Sequence, residues 1–346
     1  MGPTTEKGML PRPCTQAALG ASLPRRRLNP APPGPMKITC VISAWNRREA
    51  VAANVAALKA GSRVPDEIVV VDNASTDGTA EWLAEAHPDV VVARMPHDRY
   101  GACETFNVGF KLAKGDAVAI MDDDVEARTE WLATLERVLD AEPASTGMVS
   151  SRIVEPGMPE AYQRAEAARG SYYASTFRGC GTLARRHVLE EAGWYDERFF
   201  IYGNERDLAA RILARGYRIL QCPDAVIDHG TPFGMKAGKR SLYYHVRNFW
   251  LYAFKNCRWR DVGRMALAMA GKARGGGQSV RGDATGSAAE VELEATGTMG
   301  LAQAVKETEG ANLIVLKATL NALINLPYCL ARREVVTAPD FRLPGA

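Results

Sequence analysis

The chain has 346 residues, 47% of them hydrophobic and 24% charged, with a formal net charge of +3. That is ample apolar material for a core, which excludes wholesale disorder, and the length suits one large domain with an appendage or two modest ones. No apolar run approaches the roughly 20 residues of a membrane span, and the seven cysteines, odd in number and never C-x-x-C, speak for a reducing compartment and against a disulfide framework or structural zinc.

Residues 1–35 hold eight prolines and five Lys/Arg against one acid, so the basic excess sits there and the remainder is near neutral. A neutral body offers no extended nucleic-acid face, and no nucleic-acid partner is expected. The segment reads as a disordered tail, or as sequence upstream of an initiation at Met36. It lacks the continuous apolar stretch of a secretory signal, and an organelle transit peptide is the lesser alternative.

From Met36 onward short apolar runs at 38–43, 67–72, 90–93 and 117–121 alternate with helical stretches at 47–60, 77–86, 103–113 and 129–139. Such alternation predicts βαβ units and an α/β fold, Rossmann-like, with a mainly parallel sheet buried on both faces. Ligands of such sheets bind beyond the carboxyl ends of the strands, so polar residues just after a strand matter most. The second half is less regular, with helices predicted near 205–215 and 240–257, a main domain over 36–258 and a helical extension over 259–270. Residues 271–300 carry eight glycines and read as a flexible linker. A C-terminal helical segment over 301–346 follows. Over 311–333 it places Leu313, Leu316, Leu320, Ile324 and Leu330 near one face and is expected to pack back on the domain. Lys317, Arg332 and Arg333 also suit a membrane surface or a partner.

Asp122-Asp123-Asp124 follows directly on the strand at 117–121. Three adjacent carboxylates repel one another unless a cation or solvent compensates. A hard-oxygen cluster suits Mg²⁺ or Mn²⁺, which can neutralise a substrate diphosphate. The competing reading is a solvated acidic turn before the next helix. A second strand ends in Asp72, whose fixed carboxylate could accept hydrogen bonds from a base or ribose, while Asp77 is placed to cap a helix. The first strand ends in Ala44-Trp45-Asn46, an aromatic and an amide at the same sheet edge.

The segments VISAWNR (41–47), VVVDNASTDGT (69–79), GACETFNVGFKLAKGDAVAIMDDD (101–124) and GCGTLARRHVLEEAGWYDERFF (179–200) stand in a telling order. With YGNERDLAARILARGYRI (202–219), AVIDHGTP (225–232) and YYHVRNFWLYAFKN (243–256) they cover about 38–256. This set resembles the inverting GT-A glycosyltransferases of family 2, especially the rhamnosyltransferase-like branch. The resemblance implies that Asp72 meets the nucleotide base, with Ala44, Trp45 and Asn46 lining the same pocket. It sets the triplet against the family's D-x-D, with Asp122 and Asp123 near ribose and phosphate. Asp124 falls on the divalent ion, joined by Asp122 and by His229. Asn107 and Gly109 match a packing motif on the helix before the triplet.

The family places its general base in a Glu-Asp pair after FF-x-Y-G. Here Asn204 stands at the Glu position and Glu205 at the Asp position, a real departure. Glu205 keeps a carboxylate one methylene further out and is the expected base, whereas Asp207 projects elsewhere on the helix. Arg99 stands where the family shows an Asn and adds a cation beside the diphosphate or is merely solvated. Arg247, with Asn248, matches an R-N pair on the diphosphate or acceptor side.

The reaction implied is displacement at an anomeric carbon. An acceptor hydroxyl attacks, Glu205 takes its proton, and the metal stabilises the departing nucleoside diphosphate. The expected donor is dTDP-rhamnose or a UDP-sugar. The expected acceptor is a glycan, a lipid-linked saccharide or a small natural product, in the cytoplasm or at the inner face of the membrane. Two alternatives compete. One is a non-catalytic nucleotide-sugar or glycan-binding protein, favoured only by the altered Asn204-Glu205 pair. The other is a sugar nucleotidyltransferase, disfavoured because the first strand is not followed by a glycine-rich loop.

Overall fold

The computed structural model describes residues 35–234, 238–273 and 301–343. The expected N-terminal tail and glycine-rich linker therefore fall, apart from residue 35 and residues 271–273, outside the described residues. The elements are β1 (Ile38–Ala44), α1 (Arg48–Ala60), β2 (Glu67–Asp72), α2 (Thr79–Ala86), β3 (Val91–Arg94), α3 (Ala102–Leu112) and β4 (Ala117–Asp122). There follow β5 (Val125–Ala127), α4 (Trp131–Ala141), β6 (Thr146–Val154), α5 (Glu160–Ala168), β7 (Tyr172–Ala174), β8 (Thr182–Arg185) and α6 (Arg186–Ala192). The chain continues through α7 (Asn204–Ala214), β9 (Arg218–His229), α8 (Lys239–Asn256), α9 (Trp259–Ala273), α10 (Leu301–Glu307), α11 (Ala311–Ile324) and α12 (Leu326–Ala331).

The nine strands form one sheet in the order β3-β2-β1-β4-β8-β6-β9-β5, with β7 paired to β9. Strands β1 to β4, β6 and β9 run one way, and β5, β7 and β8 run against them. The sheet is thus mainly parallel, as the strand–helix alternation predicts. The antiparallel β8 carried no local signal, because direction is set by the partner it pairs with. Alternation within each strand builds two cores. Val41, Val69, Val71 and Ile120 face Phe106 and Phe110 of α3, while Cys40, Ile42, Val70 and Met121 face α1 and α4. Helix α3 lies tight on the sheet at Gly109, where a Cβ would collide with the Val41 side chain.

Order and direction place the site. The chain goes from β1 to β2 and β3 on one side, then returns through α3 to β4 on the other. The crevice between the ends of β1 and β4 is therefore the switch point where an open α/β sheet binds ligands. The register pairs Ser43 with Asp122, so Ala44-Trp45-Asn46 and the aspartate triplet leave the sheet side by side.

The C-terminal segment corrects one expectation. The helix predicted over 311–333 breaks at Asn325 into α11 and α12, with Pro327 in the first turn of α12. Helix α11 does pack back, on Leu242 and Val246 of α8, but through Ala311, Ala318, Ile314 and Val315. The small alanines allow close approach, and the leucines expected to be covered are left outside.

Candidate active site

Each triplet carboxylate has its own environment. Asp123 Oδ2 accepts the Trp45 N–H at 3.1 Å, tying the ends of β1 and β4 together. Asp124 accepts from Arg47 Nη1 at 2.6 Å and from Thr231 Oγ1 at 2.9 Å. Asp122 leaves 42% of its side chain exposed to the crevice. Short β5 then pairs with the end of β9, setting Val125 against His229. That pairing brings His229 Nε2 to 3.3 Å from Asp124 and 3.9 Å from Asp122. His229 Nδ1 meets Glu155 Oε1 at 2.8 Å, an outer carboxylate of the kind that fixes the orientation of a metal-binding imidazole. Nothing local in the sequence marks Glu155; only the β6–β9 pairing makes it a neighbour of His229.

The electrostatics show how crowded this negative charge is. Desolvation pushes Asp122 up to about 6 and Asp123 to about 7; neighbouring carboxylates add to this, while His229 and Arg47 oppose it at Asp122 and the Trp45 N–H and Arg47 oppose it at Asp123. Desolvation opposes ionisation of Asp124 too, but hydrogen bonds and charge from His229, with Thr231 and Arg47, hold its carboxyl well below the usual range. Burial pulls His229 down, yet its carboxylate partners outweigh this and raise it to about 10. The side-chain ligand atoms of Asp122, Cys180 and His229 lie within 4.8 Å of one another. In the sequence Cys180 stands in no metal-ligand spacing. Burial, then the charges of Asp122 and Glu155, raise its thiol well above the ordinary value, which keeps it neutral. Hard carboxylate oxygens and an oriented imidazole, now compensated by Arg47 and by the proton on His229, fit a divalent cation that would displace both.

The expected donor side is ordered but partly closed. The backbone N–H of Asn46 donates to Ser75 Oγ at 2.9 Å, and Asn46 Oδ1 accepts from the Thr76 N–H at 2.7 Å. Asn46 and Ala74 both have positive φ, so the turns after β1 and β2 are sharp and mutually locked. Trp45 is 45% exposed beside them, and Ala44 is buried at the strand end. Asp72 sits at the predicted end of β2 but is fully buried. Its carboxylate accepts the Ser75 N–H and lies 3.6 Å from Arg94 Nε. As placed, it shapes the turn that faces the crevice. Arg99 is exposed in the loop before α3, and no ion pair joins it to the triplet among the described residues.

Glu205 lies at the start of α7, over Gly179, where a Cβ would come within 2.6 Å of its Oε1. Its charge acts on Asp122, which puts the two carboxylates within electrostatic reach of one another. Burial raises its carboxyl above the ordinary value, only partly offset by its own backbone N–H, Asn204 and Arg206. Asp207, as expected, points away into a buried cluster. It pairs with Arg211 at 2.9 Å and with Lys255 at 2.7 Å, and Lys255 also meets Asp196 at 2.6 Å.

The Arg247 guanidinium donates to the carbonyls of Arg198 and Phe199 and to Asn248 Oδ1, so it braces the loop leading to Glu205. Asn248 Nδ2 lies 2.8, 2.8 and 2.7 Å from the carbonyl oxygens of Phe199, Ile201 and Tyr202. Phe200 (φ 66, ψ −62) forms a rare γ-turn closed by the Ile201 N–H on the Phe199 carbonyl, and Tyr202 also has positive φ. Bulky residues in that region are strained, so the loop needs the clamp it receives from α8.

Residues 39–207 match the family model for glycosyl transferase family 2. Residues 39–207, about half of the chain, thus carry a glycosyltransferase family 2 domain. Among curated relatives, it is 27% identical over 230 residues to a pre-mycofactocin glycosyltransferase of Mycobacterium tuberculosis, covering 62% of this chain and 47% of that one. It is 27% identical over 173 residues to an undecaprenyl-phosphate 4-deoxy-4-formamido-L-arabinose transferase of Serratia proteamaculans, covering 44% and 50%. The chain thus spans about half the length of these relatives. Among solved structures, a Pyrobaculum calidifontis mannosyltransferase in complex with GDP-Man and Mn²⁺ matches with TM-score 0.51 and 21% identity, over 87% of this chain and 90% of that one. S. aureus TarS 1–349 in complex with UDP matches with TM-score 0.52 and 16% identity, over 86% and 90%. At these identities the likeness concerns the GT-A fold.

Proposed function

We propose that this chain is an inverting, metal-dependent glycosyltransferase that moves a sugar from a nucleoside-diphosphate donor to an acceptor hydroxyl. The observation that carries the reading is the aspartate triplet at the switch point, with His229 turned onto it and Glu205 within electrostatic reach of Asp122. Asp122, Asp124 and His229 would hold a Mn²⁺ or Mg²⁺ ion, with exposed Arg47 giving way. The ion supplies charge neutralisation for the departing diphosphate.

The chain's own residues do the rest. The Ala44–Asn46 and Asn73–Thr76 turns, stiffened by Asp72, form the nucleotide side of the crevice. Glu205, with its affinity for a proton raised by burial, takes the proton of the attacking hydroxyl. Attack from the face opposite the leaving group inverts the anomeric carbon. The donor is proposed to be dTDP-rhamnose or a UDP-sugar. The acceptor is a saccharide, and the names of the relatives favour a lipid-linked one, with the enzyme peripheral at a membrane. The test is thermal unfolding with UDP-, dTDP- and GDP-sugars, each with Mn²⁺, Mg²⁺ or EDTA. A nucleotide at 100 times its dissociation constant adds about 2.7 kcal/mol. Stabilisation by one nucleotide class that EDTA abolishes is the expected result, and equal stabilisation in EDTA would contradict the metal-bound diphosphate.

A further inference from the structure

Helix α11 is apolar on two opposite faces, separated by flanks that carry Asn312, Thr319, Lys317 and Asn321, and among the described residues only one of the two faces is covered. Its inner face packs on α8 through Ala311, Ile314, Val315 and Ala318. Its outer face leaves Leu313, Leu316, Leu320, Leu323 and Ile324 between 47% and 76% exposed, and Leu330 of α12 continues the row at 45%. The spacing of three and four residues makes this one stripe along the helix axis. A 14-residue helix is about 21 Å long, too short to cross a bilayer. Among the described residues no helix is long and apolar enough to cross a membrane. A contiguous exposed row of leucines calls for a covering surface.

The charges around the stripe say which. Residues 310–333 contain no Asp or Glu, while Lys317, Arg332 and Arg333 lie within or at the end of the row. None of these three makes an ion pair among the described residues, but Arg333 is already held by the carbonyls of Phe254 and Cys257, which leaves Lys317 and Arg332 as the cations open to a headgroup. Arg332 and Arg333 stack on the rings of Tyr328 and Trp259, and Trp259 is itself 53% exposed. Leucines below, cations and an amphipathic aromatic at the margin are the composition of a helix that lies in a bilayer interface bearing anionic headgroups. Helix α8 also joins this surface to the chemistry. Its Leu242 and Val246 carry α11, and its Arg247 and Asn248 clamp the loop before Glu205.

We infer that the α11–α12 stripe is the surface by which this protein lies on an anionic membrane. The inference rests on the peripheral placement proposed above and names the residues that achieve it. The test is sedimentation of the full chain with vesicles of phosphatidylcholine, with and without about 30% phosphatidylglycerol. Wild type is expected to pellet with the anionic vesicles and to release partly in high salt. Leu316→Gln with Leu320→Gln, both at exposed positions, should lower partitioning about 100-fold at unchanged thermal stability. Lys317→Gln with Arg332→Gln should remove the preference for phosphatidylglycerol. Pelleting of the leucine variant as well as wild type would overturn this surface while leaving peripheral placement standing. A wild type that binds neither vesicle would overturn both. A wild-type dimer that the leucine variant renders monomeric, without vesicle binding, would make the stripe a subunit interface and overturn the inference.

Discussion

Asn248→Ala separates the loop that presents Glu205 from the rest of the site. The side chain is buried, and its two amide hydrogens are shared among three carbonyl oxygens at 2.7–2.8 Å. Each such bond contributes about 1 kcal/mol net, and stranding buried carbonyls adds to the loss, so the substitution removes about 2–4 kcal/mol. The strain it restrains is of similar size, about 1–3 kcal/mol at each of Phe200 and Tyr202. The loop should therefore relax while the sheet stays folded. Relaxation withdraws Glu205, and kcat for nucleotide-sugar turnover should fall by about 30-fold or more. The nucleotide dissociation constant should hardly change, because Trp45, Asn46 and the triplet are carried by β1 and β4. Steady-state kinetics with calorimetric titration of the nucleotide reads both quantities. A kcat near wild type, or a parallel collapse of nucleotide affinity, would refute the assignment of Asn248 as a loop clamp.

Lys255→Met would leave Asp196 and Asp207 facing one another without the 2%-exposed ammonium that joins them. Breaking a buried pair costs about 3–5 kcal/mol, which is roughly a 6–20 °C loss in Tm. The same cluster contributes to the acid limit. Burial opposes ionisation of Asp207, but Arg211 and Lys255 outweigh it and depress the carboxyl. Its contribution is therefore present above the unfolded value, near 4, and lost as pH falls through the lower folded value. Chemical denaturation between pH 3 and 6 should show wild type losing stability only at the acid end, roughly below pH 4, with a shallower loss in Asp207→Asn. For activity, Glu205 must be ionised, and burial raises its carboxyl. The acid limb of kcat against pH should thus lie above the ordinary glutamate value, and an acid limb at that ordinary value would contradict the buried base.

The sequence made the sheet and its ligand-binding edge legible because both are written locally. Apolar runs such as Val69-Val70-Val71 are short and followed at once by Asp72 and a turn, and the triplet follows Met121 without a spacer. The same locality hid what depends on distant pairing. His229 and Glu155 become neighbours only through β6 and β9, and Cys180 reaches Asp122 only when β8 docks against β4. Nothing local marks Arg247 as a brace, yet α8 delivers it to two backbone carbonyls. Asp72 reads as an open acceptor, but the turn it nucleates folds back and covers it. The outer leucines of α11 read as core because hydrophobic spacing tells which residues share a face, not which face is covered.

The departure at Asn204-Glu205 bears on catalysis most directly, and Glu205→Gln tests it. The amide keeps the shape of the side chain over Gly179 and abolishes only the base. Release of nucleoside diphosphate from a saturating nucleotide sugar should fall by about 10²–10⁴-fold, with donor affinity retained. Undiminished turnover in Glu205→Gln would contradict the account and place the base elsewhere in the cleft.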